Sequence, residues 1–185
     1  MSDAEDFWNY ALSVYERARE SCLALQDDFG FEVNLLLFCC WRGSRDDVLD
    51  AARLNRIINA CADWRANVVE PLRSARRWLK TRADPKGSEA LRSAILASEL
   101  HGERLLQGLI VSAAAPLAGR QTVDPVRARR IAEENLMLYH GVLEIEGERN
   151  AAPQIQALLS GAFAEGADTG IVSTSDGADG APKQP

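Results

Sequence analysis

No stretch of this chain alternates apolar and polar residues with the two-residue period of a half-buried strand, so a sheet is not expected. Long apolar runs are missing too. The longest, Leu35 to Trp41, falls far short of the roughly 20 residues needed to cross a bilayer. No basic start followed by an apolar segment marks a signal peptide. There is no GxSxG, GxGxxG or Walker pattern, which removes nucleophile-elbow and nucleotide-loop chemistries. Cys22, Cys39, Cys40 and Cys61 form no CxxC pair, and His101 and His140 stand apart from them. Zinc-ligand spacing is therefore absent, and neither a metal nor another cofactor is expected. The thiols read as small buried hydrophobes in a reducing cytosol, which makes a cytoplasmic location the expectation.

What is present suits one globular domain. A length of 185 residues can bury a sizeable core, and 46% hydrophobic with 26% charged residues is ordinary for such a domain. The net charge of −6 is unevenly spread. Residues 1–50 carry 11 acidic and 4 basic side chains (net −7), whereas residues 53–92 carry 10 basic and 4 acidic (net +6). An acidic chain of this kind is a poor general binder of nucleic acid, although its middle third attracts anions locally.

Helical spacing dominates. Phe7, Ala11, Tyr15, Ala18, Cys22 and Leu25 recur at three- and four-residue steps, as one helix or two, up to a stop at Gly30. Leu35 to Trp41 is apolar on every side and reads as a short central helix ended by Gly43. Ser44 then reads as an N-cap, opening a seam of Leu54, Ile57, Cys61, Trp64, Val68, Leu72 and Leu79 in which Pro71 forces a kink or a fresh start. After the turn at Asp84–Gly87, a further seam runs through Leu91, Ile95, Ser98, Gly102, Leu105 and Leu109. Asp124-Pro125 opens a helix with Ala128, Ile131, Leu138, Val142 and Ile145 on its stripe and Asn135 inside it. A short last helix runs from Pro153 to about Phe163. The Gly-, Ala-, Ser- and Asp-rich remainder is too poor in apolar residues to order itself.

Three constellations invite chemistry. Gln26, Asp27, Asp28 and Asn34 place polar groups at the mouth of the apolar run. Two aspartates at a helix C-terminus oppose its dipole at about 0.3–1 kcal/mol each, so a partner such as Arg42 or Arg45 is expected. The bland reading is a capping knot, with Asn34 capping the second helix. The sharper one is a ligand pocket of Gln26, Asp27 and Asn34 with Trp41 as an aromatic wall. Asp46, Asp47 and Asp50 spell DDxxD, the diphosphate–magnesium motif of all-α isoprenoid synthases, but a Ser44/Asp47 capping box explains them more simply. Arg73, Arg76, Arg77 and Lys80 form a basic stripe that either meets acidic residues of the same chain or docks a protein partner. Glu99 and Glu103, one turn apart, lack the Glu-x-x-His companions of a bundle metal site.

Phe7-Trp8, Val14-Tyr15, the block Cys22 to Asp27, Gly30, and Val33 to Phe38 with Trp41 resemble a family of uncharacterised proteobacterial proteins grouped as a domain of unknown function. The pattern is CLxLQDxxGxxVNLLLFxxW, and Pro71-Leu72-Arg73 with Arg76-Arg77 also fits. The likeness covers about residues 7–110. This chain departs from it at Glu16 to Glu20, where the family has a Pro-Gly break. The resemblance implies a small cytoplasmic helical protein and supplies no activity or catalytic residue.

The expectation is a single all-α bundle of five to seven helices over residues 1–163, followed by a disordered tail over 164–185. Its leading function is non-enzymatic protein interaction through Arg73, Arg76, Arg77 and Lys80. The alternative is small-molecule binding or catalysis at Gln26, Asp27 and Asn34, with an isoprenoid-diphosphate site at Asp46, Asp47 and Asp50 third.

Overall fold

The computed structural model describes residues 2–81, 88–114, 116–117, 123–143 and 150–164. The turn at Asp84–Gly87, Ile145 and residues 165–185 of the expected tail lie outside these. The protein is all-α. Among the described residues it forms α1 (Asp3–Phe29), α2 (Val33–Gly43), α3 (Ala51–Trp64), α4 (Glu70–Thr81), α5 (Ser88–Ala113), α6 (Pro125–Val142) and α7 (Ala152–Ala162). A π-turn over Arg65–Val69 joins α3 to α4.

The Ser2 side chain caps α1 by accepting from Glu5 N–H at 3.3 Å, with Asp3, Glu5 and Asp6 in the first turn. The helix stops at Gly30, whose φ of 74° is left-handed. Gly30 N–H donates to Gln26 C=O at 3.0 Å and Phe31 N–H to Leu25 C=O at 3.3 Å, closing the end as the glycine predicts. One residue inside α1, Ala18, leaves helical geometry (φ −115°, ψ 17°). Here α7 comes closest: Arg17 Nε donates to Gly161 C=O at 3.0 Å, and a Cβ on Gly161 would stand 2.9 Å from Ala18 Cβ.

Every residue of α2 is buried, Arg42 included. An element without a polar face has nowhere to go but the centre, and α1, α5 and α6 surround it. The helix ends at Gly43, as expected, although the backbone there is not left-handed. A Cβ on Gly43 would fall 2.6 Å from Ala132 N and 2.7 Å from Ala132 Cα, so glycine is needed there for α6 to cross.

Three expectations are corrected. Ser44 does not start a helix. It follows α2 and its hydroxyl donates back to Trp41 C=O at 2.7 Å, while Asp50 caps α3 by accepting from Arg53 N–H at 2.8 Å. Pro71 stands in the first turn of α4, so a fresh α-helix does start there as expected; the wide π-turn just before it, in which Glu70 N–H reaches Arg65 C=O, leads the chain into a residue with no N–H to give. The extra residue in that turn shifts the seam, so Val69 is buried rather than Val68. Finally, Leu91, Leu105 and Leu109 do not face the core. Glu99, Gly102, Leu106, Gln107 and Ile110 do, because two of them are polar residues with partners inside.

Candidate functional site

The elbow between α1 and α2 is built around Glu32. Its side chain caps α2: Oε1 accepts from Asn34 N–H at 3.2 Å and from Asn34 Nδ2 at 2.9 Å. Its own N–H donates to the Tyr139 hydroxyl at 3.1 Å, which ties the elbow to α6. Asn34 Oδ1 accepts from Gln107 Nε2 at 2.7 Å, and the chain ends at Gln107 Oε1, buried with no hydrogen-bond partner. Asn34 is thus the capped residue and Glu32 the cap, the reverse of the expectation. Burial is the main cause pushing the Tyr139 phenol up, so the hydroxyl that accepts from Glu32 N–H stays protonated.

In front of Glu32 opens a polar hollow of about 410 Å³, lined by Gln26, Asp27, Gly30 and Phe31 from the elbow and by Arg65, Glu70, Arg73, Ser74 and Arg77 from the facing helix. Arg73 organises its inner wall. Nη1 donates to Gln26 Oε1 at 3.2 Å, Nη2 to Glu103 at 2.6 Å, and Nε lies 3.6 Å from Glu99. Burial alone would lower the Arg73 pKa, but the hydrogen bond to Glu103 and the charges of Glu32, Glu103 and Glu99 outweigh it and raise the pKa. On Glu103 burial wins in the other direction and pushes the carboxyl up, with Arg73 pulling it back. Arg76 makes a two-pronged pair with Glu99, Nη2 to Oε1 being 3.0 Å. Arg65 pairs with Glu70 at 3.2 Å, and Gln26 Nε2 donates to Asp27 Oδ1 at 3.1 Å.

Two residue sets that the sequence keeps apart therefore meet here. Gln26 and Asp27 come from the expected pocket, Arg73 and Arg77 from the expected docking stripe. Asn34 sits behind Glu32 rather than on the surface of the hollow. Trp41 lies seven residues further along α2, about 10 Å away at 1.5 Å per residue. It is fully buried against Phe7 and Phe38, its Nε1 donating to Asp6 at 3.1 Å. Arg42 and Arg45 do not reach back to Asp27. Arg42 pairs with Asp47 beneath the Phe38 and Trp41 rings, and Arg45 with Asp6.

The DDxxD carboxylates share no helical face. Asp46 has a left-handed φ of 59° and pairs with Arg127; Asp47 is held by Arg42 and Arg53; Asp50 is a cap. Arginines neutralise the first two and a backbone amide occupies the third, so the geometry needed to present Mg²⁺ to a diphosphate is not formed. Among the described residues no group of three or more His, Cys, Asp or Glu is placed to hold a metal ion. All four thiols are buried, and burial pushes Cys22 and Cys39 up to about 12, Cys61 to about 11 and Cys40 upward as well, which makes them poor nucleophiles.

Sequence reasoning missed Glu32, Gln107 and Tyr139 as site builders. Glu32 did leave a signal, a lone acid directly before an apolar run. Gln107 left one as well, a polar residue within Leu105–Ile110.

Fold and site together define the class: an all-helical domain whose central apolar helix is entered through a buried polar elbow. The chain belongs to the DUF2390 family, described as a protein of unknown function, whose family model matches residues 6–110, more than half of the chain. That segment spans α1 through most of α5 and so includes the hollow. No curated protein and no solved structure matches the chain. No helix among the described residues is long and apolar enough to cross a membrane.

Proposed function

We propose that this protein is a non-enzymatic interaction module and that the paired helices α4 and α5 are its docking element. The observation that carries this is the lack of cover on the pair. No residue of α4 is buried, and none of α5 before Glu99. The two run antiparallel, since Arg73 meets Glu103 while Arg76 meets Glu99. Two helices alone cannot bury an apolar surface from all sides, and Trp78, Leu91, Leu96 and Leu100 are each more than 40% exposed. An apolar groove of about 440 Å³, lined by Trp64, Val68, Leu72, His101 and Leu105 among others, runs along the same pair.

The docking stripe divides by environment. Arg73 and Arg76 are spent on Glu103 and Glu99, whereas Arg77 and Lys80 are exposed and carry no ion pair among the described residues. The partner that fits is an apolar helix flanked by acidic side chains, laid against α4 and α5. Photo-crosslinking in cells from position 91, followed by mass spectrometry, tests this. One partner is expected, and the combined Trp78→Ala, Arg77→Glu, Lys80→Glu variant should reduce its yield at least tenfold without changing the melting temperature. An adduct pattern identical to that of the unsubstituted protein would refute the reading.

A further inference from the structure

We propose that the hollow in front of Glu32 binds a free α-amino acid, taking its ammonium and carboxylate groups separately. The hollow adjoins the docking surface and shares Arg77 with it, but the thermal test below uses the free chain without a partner, so either reading can fail alone.

The charge inventory selects the ligand class. The lining holds three guanidinium groups, Arg65, Arg73 and Arg77, and three carboxylates, Asp27, Glu32 and Glu70, so its formal charge is zero. A polyanion would meet the carboxylates and a cation the guanidiniums, and either would lose on one wall what it gained on the other. A small molecule bearing both charges gains on both. Internal pairing then shows which groups are left for it. Arg65 is ion-paired with Glu70 at 3.2 Å, and Arg73 is committed to Gln26 and Glu103. Arg77 and the Ser74 hydroxyl make no hydrogen bond or ion pair among the described residues, and together they suit a carboxylate.

On the opposite wall, both hydrogen bonds to the Glu32 side chain fall on Oε1. Its other oxygen is left for the hollow, on a residue only 5% exposed, with Asp27 beside it. That oxygen is reached from the hollow, and an ammonium group placed there supplies donors and charge at once. The volume of about 410 Å³ lies in the range of small-molecule sites. Recognition through both backbone charges leaves the ligand's side chain directed outward through the open mouth.

The test is thermal denaturation of the full chain in the presence of each of the twenty standard amino acids at millimolar concentration. n-Butylamine and n-butyrate serve as single-charge controls. A ligand that binds only the folded state raises its melting temperature. At least one amino acid should do so while neither control does. Arg77→Ala, at an exposed position, should keep the melting temperature of the free protein and weaken binding at least tenfold by calorimetry. Glu32→Gln keeps the capping acceptor but removes the charge, and should weaken it similarly. No stabilisation by any of the twenty overturns the proposal. So does equal stabilisation by butyrate, which would make the site a simple anion site, and so does binding unaffected by either substitution.

Discussion

Asn135 has no exposed surface, and its amide holds three backbone groups from two other segments. Oδ1 accepts from Leu49 N–H at 2.8 Å, while Nδ2 donates to Asp47 C=O at 3.1 Å and Cys39 C=O at 3.3 Å. These bonds fasten the turn between α2 and α3 onto α6. Leucine there would keep the branching, though with extra bulk, and strand all three groups, and each buried unsatisfied group costs about 1–3 kcal/mol. Asn135→Leu should therefore lower the unfolding free energy by on the order of 3 kcal/mol in urea titrations, and a loss below about 1 kcal/mol would contradict this account. The sequence pointed to Asn135, because an amide inside an apolar stripe is conspicuous. It did not reveal its partners. Those lie 86 and more positions away, and a backbone group carries no side-chain signature.

Among helices, the same substitution should act with opposite sign at two glycines. Gly43 faces the backbone of Ala132 at a distance no Cβ tolerates, where α2 crosses α6. Backbone cannot rotate away as a flexible side chain can, so Gly43→Ala should destabilise by about 1–3 kcal/mol. Gly108, in the middle of α5, has open space where a Cβ would go. Gly108→Ala should stabilise by about 0.5–1 kcal/mol, because alanine loses less conformational entropy in a helix. Paired denaturation curves check both, and a shared sign would refute the close-approach reading of Gly43. Element limits were largely legible. Gly30, Asp124 and Pro125 act as their residue types dictate, Asp124 accepting from Arg127 N–H at 3.0 Å. The start of α3 was misread because Ser44 and Asp50 are both good caps, and the turn held by Arg42, Arg53 and Asn135 decides between them.

For the whole molecule, stability is expected to be graded. The core gathers on α2, with α1, α5 and α6 around it, while α4 and the first turns of α5 pack chiefly on each other. Segments with few buried apolar contacts open locally without global unfolding. Hydrogen exchange should thus find residues 70–81 and 88–98 exchanging at least tenfold faster than residues 33–43, with α2 exchanging only as the whole domain unfolds. Equal protection in both segments would contradict the view of α4 and α5 as an uncovered pair. A bound partner should raise protection in residues 70–81 and 88–98 selectively, while an amino acid in the hollow should protect the end of α1 and residues 65–77.

Local pattern alone determined that the domain is all-α, that residues 35–41 form its centre, and that Gly30 ends the first helix. Periodicity, total apolarity and a left-handed glycine each act within a few residues of chain. Tertiary structure decided which face α5 buries, which arginines are consumed internally, and what lines the hollow. Leu91, Leu105 and Leu109 make the better apolar stripe on α5, yet Glu99 and Gln107 point inward because Arg76 and Asn34 await them there. A buried charge or amide is tolerated only with its partner in place, and that partner is set by packing between distant segments rather than by neighbours in the chain.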